Sequence, residues 1–88
     1  MELQLMAGRI RAFIVARFPL ARQLRNDELL LEKGIIDSQG ILEVVVFLEN
    51  EFEITVHDED LLPDNFQSVT SMATFAKLKL NNNSRSEE

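Results

Sequence analysis

With 88 residues, 45% of them hydrophobic and 27% charged, the chain has the composition of one small globular domain and no room for a second core. It has no cysteine, which excludes disulfide staples, thiolate metal sites and cysteine nucleophiles together, and its net charge of −6 disfavours binding to phosphate backbones. No apolar run approaches the roughly 20 residues that span a bilayer, and Glu2 before Leu3 gives no basic signal-peptide start, so the expectation is a cytoplasmic protein without membrane insertion.

In chain order, Leu3, Met6, Ile10, Phe13 and Ile14 recur at helical spacing and predict a first helix ending near Arg17, because Pro19 disfavours helical backbone at Phe18. The five arginines up to Arg25 face one acid, Glu2, whereas residues 26–88 hold fourteen acids and four bases. Solvation of a helix face is the plain reading of those arginines; a local anion patch is the rarer one. A long connection, Leu20 to Asp37, follows, with a partial turn expected over Arg22 to Asp27. One or two of Leu24, Leu29, Leu30 and Leu31 should pin it to the core, and Gly34 punctuates it before Ile35 and Ile36.

A second helix is expected from Ser38 to about Phe52, with Asp37 as its N-cap. Val44, Leu48 and Phe52 fall at four-residue steps, with Val45 and Phe47 beside them, and form its buried face. The run Val44–Val45–Val46 has strand propensity, but the acids Glu43, Glu49 and Glu51 and the length of the segment favour a helix. After a loop over Glu53 to His57 with Val56 turned inward, Asp58 to Leu62 predicts one short helical turn, capped by Asp58 and stopped by Pro63. Ser68 caps a last helix carrying Val69, Met72, Ala73, Ala76 and Leu80 in helical period, with Phe75 alongside. The expected architecture is an all-α bundle of three principal helices plus one short helix over residues 1–80, with 81–88 a disordered polar tail.

Few residues carry chemistry. Asp37-Ser38 lies at a helix start, where free amides and the macrodipole favour an anion. A hydrolytic elbow would need glycine in place of Ile36, and His57, the lone histidine, lies beyond the far end of the second helix. The chain is therefore not expected to be an enzyme. Asp58-Glu59-Asp60 opens like a calcium loop, but Leu62 and Pro63 stand where an oxygen ligand and a glycine are needed, so no metal site is expected.

The segment Leu30-Leu31-Glu32-Lys33-Gly34-Ile35-Ile36-Asp37-Ser38, followed by the acidic helix Glu43 to Phe52, resembles the acyl carrier protein family. Val56-His57-Asp58-Glu59-Asp60 and Phe66-Gln67-Ser68-Val69 resemble that family's third-helix region and the start of its last helix, and the resemblance covers about residues 28–78. It implies an acyl-carrier-type bundle in which Ser38 accepts a covalent 4′-phosphopantetheine arm from coenzyme A, through a magnesium-dependent phosphopantetheinyl transferase. The arm's thiol would then carry an acyl or aminoacyl thioester. Asp37 would lie next to the metal-bound phosphate during modification, and Gln39, Leu42, Glu43, Val46 and Glu49 would face partner enzymes. Those partners would be the transferase, a loading ligase and downstream acyl-transfer or synthase enzymes, with the carrier itself a monomer. Gln39 and Gly40 replace the leucine and acid usual in carriers of fatty acid synthesis, which brings the motif closer to D-alanyl, aminoacyl or specialised stand-alone carriers. The competing class is a non-catalytic helical interaction module, in which Ser38 only helps to cap the helix and the acidic helix docks a basic partner.

Overall fold

The computed structural model describes residues 1–85, and side chains as far as Asn82. Its order is α1 (Leu3–Arg17), a 3-10 turn at Pro19–Gln23, α2 (Ser38–Phe52), a 3-10 turn at Asp58–Asp60, α3 (Pro63–Phe66) and α4 (Val69–Arg85). No strand occurs among the described residues, so the fold is the expected small helical bundle.

Each long helix buries one stripe. Met6, Ile10 and Ile14 of α1, Val44, Leu48 and Phe52 of α2, and Val69, Met72, Ala73, Phe75 and Ala76 of α4 form one core. The small side chains of Ala73 and Ala76 sit on the buried side of α4, which lies along α1. Leu3, expected on the α1 stripe, is 42% exposed, and the buried stripe begins at Met6. Phe13 is half-buried and its ring stacks on that of Phe47, centroids 4.3 Å apart.

The long connection behaves as its leucines suggest. Leu30 is buried, and its N–H donates to the Gln67 carbonyl at 2.7 Å, fastening the loop to the entry of α4. A 3-10 turn at Pro19–Gln23 opens this region, since proline suits the first position of a helical turn, and a separate turn at Asn26–Asp27, closed by Glu28 N–H to the Arg25 carbonyl at 3.1 Å, falls within the span expected to turn. Gly34 takes φ 74°, a left-handed turn that returns the chain so that Ile35 N–H reaches the Leu30 carbonyl at 2.9 Å.

Three boundaries differ from expectation. The turn after His57 covers only Asp58–Asp60, and its cap is His57, whose N–H donates to the Asp60 carboxylate at 3.0 Å. Pro63 does not stop that turn but begins α3, where its missing N–H leaves nothing unsatisfied. At the other end α4 runs past Leu80 to Arg85, so residues 81–85 are helical rather than a frayed tail; 86–88 lie outside the described residues. Ser68 caps α4 as expected, its Oγ accepting from Ser71 N–H at 3.0 Å. Among the described residues no helix is long and apolar enough to cross a membrane.

Candidate functional site

The Asp37 carboxylate accepts the Gly40 N–H at 2.8 Å, which fixes the start of α2 and leaves Ser38 as its first residue. Ser38 is exposed, and its hydroxyl makes no hydrogen bond within the described residues. Asp37 alone does the capping, so the serine is not required for the helix start.

Gly40 is a steric requirement. A Cβ there would stand 2.8 Å from Ile36 Cγ2 and 3.1 Å from the Phe18 ring, so its absence lets the end of α1 close against the first turn of α2. Ile36, itself buried, and Phe18 thus set the position of the turn that carries Ser38.

Ser38 opens onto a pocket of about 270 Å³. Ile41 and Leu42 of α2 form one wall and Leu61, Leu62 and Pro63 the opposite one, with Leu31 and Phe66 completing the lining; Ser38 is its only polar side chain. The leucine pair at the rim is 40% and 55% exposed, so this apolar surface faces the cavity and solvent rather than the core.

The other side of α2 is closed by a ladder. Arg9 meets Glu51 at 2.8 Å, Phe13 stacks on Phe47, and Arg17 engages Glu43 with two nitrogens, Nη2 lying 3.0 Å from Oε2. Each step advances four residues on α1 and retreats four on α2, which fixes the two helices antiparallel, with rungs about 6 Å apart. Above the aromatic rung lies a wider groove of about 610 Å³ to which Gln39, Leu42, Val46 and Asn50 contribute.

The structure therefore separates the residues expected to face partners into two groups. Gln39, Leu42 and Val46 stand free, the last two 56% and 55% exposed. Glu43 is paired with Arg17, and Glu49 accepts the Val56 N–H at 2.9 Å, fastening the loop after α2. Nor are all the arginines of α1 merely solvated: Arg9 and Arg17 form the ladder, and Arg11 donates to Asn26 Oδ1 at 3.0 Å and to the Arg22 carbonyl at 3.2 Å. Sequence reasoning missed the pocket and its far wall. The signal was Leu61-Leu62, an apolar pair between an acidic turn and a proline, too exposed in character for a core segment.

Around His57, as elsewhere among the described residues, no group of three or more His, Asp or Glu side chains is placed to hold a metal ion. The neighbouring Asp60 is held below the usual carboxylate range, mainly by the Lys79 ammonium and further by the His57 N–H. No family model matches the sequence, and no curated protein matches it.

Proposed function

We propose that the chain is an acyl carrier protein: a non-catalytic domain that takes a 4′-phosphopantetheine arm on Ser38 and presents an acyl thioester to partner enzymes. The observation that carries this reading is an exposed, unbonded Ser38 hydroxyl at the first position of α2, opening onto an apolar pocket. A phosphodiester there sits among the free amides of a helix start, which favours its charge. The arm gives a cysteine-free chain the thiol it needs. Asp37 stands beside the modified residue, its carboxylate accepting the Gly40 N–H, and in this reading it would meet the transferase's metal-bound phosphate. The apolar lining favours an aliphatic cargo over an aminoacyl one, because an unpaired ammonium is costly to bury. This shifts the reading away from the D-alanyl type that Gln39 and Gly40 suggested.

Partners fitting this role are a phosphopantetheinyl transferase, a loading ligase and a downstream acyl-transfer enzyme, meeting a monomeric carrier in the cytoplasm. Gln39, Leu42 and Val46 are the free residues with which α2 would touch them. The competing reading, an interaction module with Ser38 as a cap, draws on the same exposed Leu42 and Val46, but the cap is Asp37. Co-expression with a broad-specificity transferase and intact-mass measurement decides between them. The expected result is a gain of one pantetheine phosphate by the wild type and none by Ser38→Ala. An unmodified wild type, or a modified alanine variant, overturns the assignment.

A further inference from the structure

The pocket beside Ser38 has unequal walls. Ile41 and Leu42 belong to a fifteen-residue helix, whereas Leu61 and Leu62 lie between a three-residue turn and a four-residue helix. Segments this short do not hold themselves in place. Phe66, buried at the end of the four-residue helix, packs on Phe75 of α4 with ring centroids 5.3 Å apart, and on the other side of the two leucines the polar fixture is Asp60, the residue immediately before them. Its Oδ2 accepts the His57 N–H at 3.0 Å and meets Lys79 Nζ at 2.9 Å. Its carbonyl accepts Leu62 N–H and Asn65 Nδ2, both at 2.8 Å. Lys79 belongs to α4, so its ammonium is what ties this hub to a long helix of the core. With side chains 16% and 21% exposed, Lys79 and Asp60 form the least exposed ion pair among the described residues, and so the one least screened by solvent.

We infer that Lys79 is a positioning residue for the pocket: acting through Asp60, it fixes the Leu61–Leu62 wall and thereby limits the length of aliphatic chain the pocket accepts. The limit on cargo rests on the carrier reading, whereas the fixing of the wall does not. Breaking the pair leaves α2 and the core stripes intact and frees one wall, so the cavity can widen toward solvent without unfolding the bundle.

Two measurements on the full chain test this. In the unmodified protein, amide hydrogen exchange at Leu61, Leu62 and Asn65 should be about five- to tenfold faster in Lys79→Met, which keeps much of the apolar stem, with Leu48 and Met72 unchanged. Lys79→Arg should restore the wild-type rates, and Asp60→Asn should reproduce the methionine variant. Next, protein loaded at Ser38 with acetyl-, octanoyl- or dodecanoyl-pantetheine is melted. In the wild type the rise in Tm should level off by octanoyl; in Lys79→Met it should continue to dodecanoyl. Unchanged exchange at the three amides, acceleration spread through the core, or identical chain-length profiles overturn the proposal. If the wild type accepts no arm at Ser38, the carrier reading and the cargo limit fall together, and the exchange rates alone decide whether Lys79 fixes the wall.

Discussion

Toward α1, helix α2 presents Glu43, Phe47 and Glu51, each four residues from the next and each meeting a partner on the antiparallel helix. Toward the 57–66 segment it presents Ser38, Ile41 and Leu42, which meet a cavity. The same helix is thus paired rung by rung with another helix along one side and faces a cavity without such pairing along the other. Two long helices with matching four-residue spacing can pair rung by rung, whereas a segment broken into three- and four-residue turns offers no such register and depends on isolated anchors. Ile54 and Phe66 are buried anchors of that second region, Phe66 packing on Phe75 of α4, and the Asp60–Lys79 pair adds a polar tie to α4.

The largest test of this contrast compares Phe52 with Leu62. Phe52 is 5% exposed at the end of the α2 core stripe, and truncation to alanine is expected to cost about 3–5 kcal/mol. Leu62, at 55% exposed, should shift stability by no more than about 0.5 kcal/mol on the same change. Denaturant midpoints for the two variants check this, and similar losses would erase the distinction between core stripe and pocket wall.

At the junction of the two regions, Gly40→Ala should destabilise by about 1–2 kcal/mol, the overpacking cost exceeding the gain in helix propensity. The new Cβ meets Ile36 and Phe18, both packed into the core. A thermal scan showing equal or greater stability would mean that α1 and α2 can separate there freely.

Asp60 gives the cavity side a pH signature. Its carboxyl is held low in the folded state, chiefly by Lys79 and then by the His57 N–H, so the stability it contributes is present above the unfolded value of about 3.9. That contribution disappears as pH falls through the lower folded value. Wild type should therefore exceed Asp60→Asn in urea midpoint at pH ~7, with the gap closing in acid. A gap independent of pH would remove the ionised carboxylate from the account.

The smallest expected effect lies on the paired side. Glu43→Lys breaks a partly exposed pair with Arg17 and should cost less than about 1 kcal/mol in a chemical denaturation series. On the carrier reading proposed above, Glu43 is already paired with Arg17, so its reversal should change the salt dependence of association with a transferase only slightly. A steep change in salt slope for Glu43→Lys would show that the ladder opens when a partner arrives.

Much of this molecule was written in local sequence. The spacing of Val44, Leu48 and Phe52, the Asp37 cap and the Ser68 cap determine α2 and the start of α4, because burial stripes and caps depend on residues three or four apart. Pro63 was legible only as a break, since proline suits a helix start as well as it ends one, and the chain around it decides which. The continuation of α4 past Leu80 escaped notice because asparagine-rich sequence has no apolar period to read. Tertiary structure alone decided that Arg9 and Arg17 would neutralise Glu51 and Glu43, that Gly40 would admit Phe18, and that Lys79 would reach Asp60. Each of those depends on which helix faces lie opposite one another, and composition, period and capping describe one element at a time.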